Sequence, residues 1–238
     1  MADARGDLLS VVALDAAIAV LVLAVFWASV TLMRFFGSKA RYSLAPLGFS
    51  RPKGGILAGI GAGVAVGVFA ILLGVVVNPL SKLVLERLGY SIESRVQRPF
   101  MEGLSVWVRD DPSVAVPAIV LVVVFFGPAV EELVFRGVVF NGLYRLGTRI
   151  STSYTGKEGL VPGKAVFAFS ALASSVLFAL LHLEPLLAPV LLILAVILCD
   201  LFRRTESLLP PIVAHATFNS LATSIIILDG LGVLDVPI

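Results

Sequence analysis

The stretch IVLVVVFFGPAVEELVFRGVVF (residues 119–140) decides the fold class, because it is long and apolar enough to cross a lipid bilayer as a helix. A membrane span needs about 20 mostly apolar residues, and its backbone must satisfy its own hydrogen bonds. Three ionisable side chains, Glu131, Glu132 and Arg136, lie inside this stretch. Charged groups are costly at the bilayer centre and usually serve pairing or function. The stretch therefore predicts both a membrane helix and a candidate site within it.

Composition places the whole chain among membrane proteins. Of its 238 residues, 58% are hydrophobic and 14% are charged, whereas a soluble domain has about 25% charged residues. The mean hydropathy is +1.02. The formal net charge is only +2, so no nucleic-acid partner is expected. The single cysteine, Cys199, excludes an intramolecular disulfide and a multi-cysteine zinc site.

Six apolar segments predict an all-α fold, a polytopic transmembrane helical bundle with about six spans. Residues 1–113 supply N-terminal spans and an interfacial segment, and residues 114–238 form a C-terminal helical core of the same continuous membrane domain. Gly127 and Pro128 interrupt the third segment, and proline removes a helical hydrogen bond. A break there into two helices would raise the count to seven or eight. The predicted spans are 8–33, 54–77, 114–140, 165–182, 186–202 and 208–228.

Lysine and arginine residues orient these spans, since cytoplasmic loops are enriched in them. Three basic loops, 34–53, 141–164 and 203–207, are expected to be cytoplasmic. Both termini are then predicted to lie outside the cytoplasm. Asp15, near the start of the first span, is interpreted as an aspartate at the membrane interface.

The second span carries small residues at a spacing of four, which suits close helix packing. The repeated glycines are Gly55, Gly59, Gly63 and Gly67. Packing inside the bundle is the favoured interpretation, and oligomerisation through this face is the alternative.

The adjacent glutamates of the third span are expected to have different tasks. Glu132 and Arg136 are four residues apart, so they share a helix face and can pair. Glu131 then points about 100° away and is left to accept a proton from water. A purely structural ion cluster that joins helices is the alternative.

The two histidines of the chain also lie in apolar segments. Phe178 and His182 are four residues apart, as are His215 and Asn219, so each pair shares a helix face. Alone, each would suit an interface histidine or a helix-bridging asparagine. With Glu131, they could form a hydrolytic site: Glu131 and one histidine would hold a water, and the other histidine and Asn219 would stabilise an oxyanion. Glu131, His182 and His215 could equally bind zinc or another divalent metal.

Other catalytic motifs are missing from the sequence. There is no HExxH, no GxSxG, no CxxC, no P-loop and no GxGxxG. Helical zinc proteases of the usual pattern and nucleophile-elbow hydrolases are therefore not expected.

Three motifs together resemble a known family. EELVFR (131–136), FALLH (178–182) and HATFN (215–219) are similar to the EExxxR, FxxxH and HxxxN motifs of the CPBP family of CAAX prenyl endoproteases and bacteriocin-processing or immunity membrane proteins. The resemblance covers about residues 114–228. It implies an intramembrane endopeptidase that acts on a membrane-anchored or lipidated substrate, such as a prenylated CAAX protein. Members of this family are often labelled metalloproteases.

The resemblance also implies roles for individual residues. Glu131 would be the base, acting with His182 on a water, while His215 and Asn219 would form the oxyanion hole. Glu132, in the same motif, would be part of the catalytic set. Arg136 and Phe178 would support the site.

Two other functions stay open at this point: a non-catalytic scaffold or immunity protein of the same family, and a transporter or proton channel.

The predicted topology also contains a conflict. Glu131 and His215 fall in the cytoplasmic half, but His182 comes roughly 26 Å along a span that starts on the cytoplasmic side. A deeper start of the fourth span, a strong tilt, or the break at Gly127 and Pro128 would each resolve it.

Overall fold

The computed structural model describes residues 4–90, 97–155 and 163–235, without the side chains of 152–155. These residues form helices and loops only, which confirms the all-α class. Lys157 and Glu158 of the predicted cytoplasmic loop, and the outermost residues of both termini, lie outside the described ranges.

The helices are α1 (Ala4–Phe35), α2 (Ile56–Arg87), α3 (Gln97–Asp110), α4 (Pro112–Ile119), α5 (Gly127–Glu132), α6 (Asn141–Thr155), α7 (Gly163–Leu181), α8 (Ala188–Thr205) and α9 (Leu209–Gly230). Two π-helical segments are π1 (Val120–Phe126) and π2 (Leu133–Phe140), and a 3₁₀ turn covers Ala45–Leu47.

Five helices in the described part of the chain are long and apolar enough to cross a membrane. They match five of the six predicted spans and confirm a membrane helical bundle. The predicted span 186–202 forms α8, which is not among the five and ends in the charged residues Asp200, Arg203 and Arg204. The five candidate helices are Ala4–Phe35, Ile56–Arg87, Pro112–Ser151, Gly163–Leu181 and Leu209–Gly230.

The third span does not break at Gly127 and Pro128, so the alternative of two helices, which the sequence left open, does not occur. The chain remains helical from Pro112 to Ser151, and Gly127 has ordinary right-handed helical angles. Its backbone N–H donates to the carbonyl of Val122, five residues back, as in a π-helix. This wider turn accommodates the proline, whose ring would otherwise clash with a carbonyl four residues back.

The same helix continues as α6 for fifteen residues beyond the predicted end of the span. α7 packs antiparallel against it, with Val166 beside Gly147 and the Ser174 hydroxyl donating to the Phe135 carbonyl (3.0 Å). Because the long helix extends to α6, α7 begins beside residues near Gly147 and not beside the predicted span end at residue 140. Its last residues return to the level of α5, which removes the expected conflict over the depth of His182.

Glycines of α2 allow α9 to approach closely within the same chain. A side chain on Gly59 or Gly63 would meet Pro210, and one on Gly67 would meet Thr217. The increasing numbers on both helices show that α2 and α9 run parallel. The intramolecular interpretation of this face is therefore confirmed at three of the four glycines. An oligomer contact there would have to displace α9.

Gly67→Ala is expected to lower the free energy of unfolding by about 1–3 kcal/mol, because the added methyl group overpacks this contact. The new carbon would lie 2.6 Å from the Ala214 carbonyl oxygen and 2.5 Å from Thr217 Cβ. Gly61→Ala on the same helix is the matched control, since nothing lies within 4 Å of its added carbon. It should be neutral or stabilising by up to about 1 kcal/mol. Unfolding in detergent micelles measures both, and equal stabilities would contradict the packing described.

Helix α1 lies beside the long third helix and runs in the same direction. Leu8 belongs to the core cluster that contains Ile119, and Phe26 packs against the cluster that contains Leu133. Only three residues of α1 are buried. Between the two contact regions, α1 passes α5 with Asp15 on the facing side.

Candidate active site

A buried ion pair forms the innermost part of the site. Glu132 and Arg136 are completely buried, and Arg136 Nη1 donates to Glu132 Oε1 at 2.8 Å, as the spacing of four predicts. The guanidinium lies 4.6 Å from the ring centroid of Phe178 and donates to the Ala195 carbonyl at 3.4 Å. Glu132 Oε1 is also 2.9 Å from His215 Nδ1, so this carboxylate links α5 to α9.

Glu131 points to a different side of α5 and meets both histidines. Its Oε2 lies 3.6 Å from His182 Nε2 and 3.9 Å from His215 Nε2. His215 is almost fully buried, whereas Glu131 and His182 are partly exposed. Phe178 packs against both histidine rings, with centroid distances of 4.4 Å and 5.6 Å. The structure therefore brings together residues from all three sequence motifs.

The hydrogen bonds of the two histidines show which nitrogen of each ring carries the proton and which has a free lone pair toward Glu131. His182 Nδ1 is 2.8 Å from the Phe178 carbonyl, which can only accept, so Nδ1 carries the proton. His215 Nδ1 donates in the same way to the carboxylate of Glu132. In the neutral rings, both Nε2 atoms are therefore acceptors. These assignments follow from the hydrogen-bond network.

Three acceptor atoms thus lie close together, and one of them has no hydrogen-bond donor. Glu131 Oε2 is buried and has no hydrogen-bond partner among the described residues. The three atoms of Glu131, His182 and His215 lie within 4.8 Å of one another. Two histidines and a carboxylate make a usual set of protein ligands for a catalytic zinc ion with an open position. Hydrogen bonds that orient the outer histidine nitrogens are also typical of metal sites. The residues fit a divalent metal as well as a hydrogen-bonded water.

Asn219 has a structural contact that explains its position. Its amide nitrogen donates to the Val123 carbonyl in π1 at 3.1 Å. That carbonyl lacks a helical donor, because the Gly127 N–H binds Val122 and Pro128 has no N–H. Asn219 thus bridges two helices, which is one of the alternatives open from the sequence. Its role in an oxyanion hole stays a prediction.

Asp15 is the residue near the site that the sequence interpretation missed. Its Oδ2 lies 3.8 Å from the position that a side-chain carbon on Gly127 would occupy, and Glu131 Oε1 lies 4.0 Å from the same position. The interpretation of Asp15 as an interface aspartate did not include this position beside the site. One signal was available: Asp15 is the only ionisable residue between Asp7 and Arg34.

Comparisons with known proteins concern the region that holds this site. An all-helical membrane bundle with a buried glutamate–histidine site is the class that the fold and the geometry define. Residues 113–221 match the model of a family described as "Type II CAAX prenyl endopeptidase Rce1-like", and this range contains all three motifs. The predicted resemblance to the CAAX endoprotease family is thereby confirmed.

A curated relative agrees with this family. The chain is 32% identical over 108 residues to a protein of Bacillus subtilis (strain 168) named "Putative membrane peptidase YdiL". The match covers 44% of this chain and 36% of the relative, so the chain spans about a third of that protein's length in the alignment. No solved structure matches the chain.

Proposed function

We propose that this protein is an intramembrane endopeptidase that hydrolyses a peptide bond in a membrane-associated substrate. The observation that carries the proposal is the convergence of Glu131 Oε2 with two histidine Nε2 atoms, inside the region that resembles the CAAX endopeptidases. The two histidines are held by a backbone carbonyl and a buried carboxylate, so their lone pairs are aimed before any substrate binds. Such preorganisation is what a hydrolytic site needs.

Water activation follows from this arrangement. A water between Glu131 and His182 would donate its hydrogens to Oε2 and Nε2, which leaves its oxygen lone pair for the substrate carbonyl. Glu131 accepts the proton when the oxygen attacks and delivers it to the leaving amine. The Glu132 carboxylate beside His215 Nδ1 stabilises that ring when it is protonated, much as a triad carboxylate does.

When His215 Nε2 has taken a proton from solvent, that N–H and the amide of Asn219 would donate to the developing oxyanion, and the proton would stay on the ring when the intermediate collapses. Arg136 and Phe178 support the reacting groups. The arginine forms an ion pair with Glu132, and the phenylalanine ring packs against both imidazoles and holds them in place. A divalent metal, if bound, would be held by Glu131, His182 and His215 and would acidify a bound water.

The substrate class is proposed from the surroundings of the site. Glu131 lies within the candidate membrane span Pro112–Ser151, so a peptide held in the bilayer is the substrate that we expect to reach it. A membrane-anchored or lipidated peptide, including a prenylated CAAX-type tail, can enter laterally from the bilayer. The enrichment of lysine and arginine in three loops supports the proposal of six crossings, with both termini outside the cytoplasm and the site in the cytoplasmic half.

The test is cleavage by the purified protein in liposomes, with prenylated and unprenylated forms of one CAAX-type peptide. Mass spectrometry is expected to show cleavage of the prenylated form, because it partitions into the bilayer that leads to the site. Activity is expected to persist after dialysis against a chelator. Loss of activity that one zinc per chain restores would show instead that the site works with a metal. Absence of cleavage, with Glu131→Gln and His215→Ala variants retaining biological function, would favour a scaffold or immunity protein.

A further inference from the structure

Asp15 is a carboxylate for which the described residues provide no partner. It lies within the apolar helix α1, and no described cation or N–H lies within ion-pair or hydrogen-bond distance of it. The other carboxylates at the site differ in this respect. Glu132 is bound by Arg136 and His215, and Glu131 faces the two histidines. Ionisable groups inside membrane spans usually pair, so the missing partner calls for an explanation.

The position of Asp15 relative to the reacting groups is well defined. Gly127 has no side chain, and the position that its first side-chain carbon would fill, called the hollow, lies 3.3 Å from the Val122 carbonyl oxygen, 3.8 Å from Asp15 Oδ2 and 4.0 Å from Glu131 Oε1. The other oxygen of Glu131, Oε2, faces His182 and His215. Asp15 and the histidines therefore lie at different oxygens of the proposed base. A peptide whose scissile bond faces a water at Oε2 would carry a neighbouring side chain toward the hollow.

The chemistry of this hollow favours a cation. Asp15 and Glu131 are close enough for their charges to repel each other, so a positive group between them would be stabilised by both. Among the described residues, the group that could hold a metal ion comprises Glu131, His182 and His215, which lies at the other oxygen of Glu131. A lysine or arginine side chain is long enough to reach the hollow from a peptide backbone held at the histidines.

We propose that Asp15 is a specificity-determining residue that binds a basic side chain of the substrate next to the scissile bond. This rests on the proposed endopeptidase function. The Asp15 carboxylate pairs with the substrate ammonium or guanidinium over Gly127, while Glu131 Oε2 and His182 hold the water that attacks the scissile bond. Recognition and hydrolysis thereby use opposite sides of one glutamate.

The test uses three membrane-anchored peptides that differ only by lysine, glutamine or glutamate at the residues flanking the cleaved bond. Wild-type protein is expected to cleave the lysine peptide with the highest kcat/KM. Asp15→Asn should reduce kcat/KM for the lysine peptide by about tenfold, mainly through KM, and leave the glutamine peptide within about twofold. Asp15→Lys should transfer the preference to the glutamate peptide. Asp7→Asn, the same change two turns earlier on α1, is the matched control and should retain the wild-type preference.

Binding of the same peptides to the Glu131→Gln protein separates this inference from the endopeptidase proposal. The lysine peptide should bind about tenfold more tightly than the glutamine peptide, and Asp15→Asn in the same background should abolish the difference. If wild type cleaves none of the peptides, the endopeptidase proposal fails and the binding preference still decides the role of Asp15. An unchanged preference in Asp15→Asn, or an equal loss for all three peptides, would overturn the assignment.

Discussion

Glu131→Gln is expected to reduce kcat for peptide hydrolysis by about 10²–10⁴-fold, the usual contribution of a positioned general base. Glutamine keeps the shape of the side chain but cannot take a proton from water. Its amide group can still face His182 Nε2 and His215 Nε2, both of which accept hydrogen bonds in the neutral rings. The variant should therefore fold normally and bind substrate, so that the loss appears in kcat. Single-turnover cleavage of a membrane-anchored peptide measures it.

Glu86→Gln provides the matched control for that change. Glu86 is exposed near the end of α2, and its contact with Lys82 is a 3.9 Å surface pair. Activity within about twofold of wild type is expected for this variant. Retention of more than a tenth of wild-type kcat by Glu131→Gln would show that another group activates the water.

Arg136→Met is expected to have the largest effect on stability, with a loss of about 3–5 kcal/mol in the free energy of unfolding. The pair of Arg136 with Glu132 is completely buried, so removal of the guanidinium leaves a buried carboxylate with His215 as its remaining polar contact. The methionine fills most of the volume, which separates the charge effect from the loss of packing. Unfolding in mixed micelles, followed by circular dichroism, measures the change.

Two further variants make this prediction specific. The double variant Glu132→Gln with Arg136→Met removes both charges and should recover at least half of the loss, because an uncharged buried pair avoids the desolvation cost. Lys82→Met breaks an exposed pair of the same i,i+4 spacing and should change stability by less than about 1 kcal/mol. A double variant less stable than Arg136→Met alone would contradict a charge-based explanation.

Most of the helical architecture could be predicted because membrane spans depend on local composition. Periodicity also separated the roles of neighbouring residues: Glu132 pairs with Arg136 as their spacing requires, and Glu131 points elsewhere. The convergence of His182 and His215 on Glu131 needed the three motifs together, since residues so distant in the chain have no local signal for contact.

The remaining features depend on tertiary packing. Gly127 and Pro128 suggested a break, but π1 absorbs the proline, and the partner of the freed carbonyl is Asn219 from α9. A sequence cannot show which distant amide completes such a bond. The position of Asp15 beside the site was missed for a related reason: its distance from the start of α1 was visible, but the neighbouring helix was not.

The three converging acceptors have a consequence for inhibitor chemistry. Glu131 Oε2 and the two histidine Nε2 atoms offer lone pairs and no hydrogen to a molecule that enters between them. A compound with an amidine or hydroxamic acid head group would satisfy them through its N–H and O–H groups. An ester or ketone of the same shape would leave all three unsatisfied. While both histidine rings are neutral, donor-rich head groups should therefore bind more tightly than the matching ester or ketone, whose oxygen needs a proton on His215.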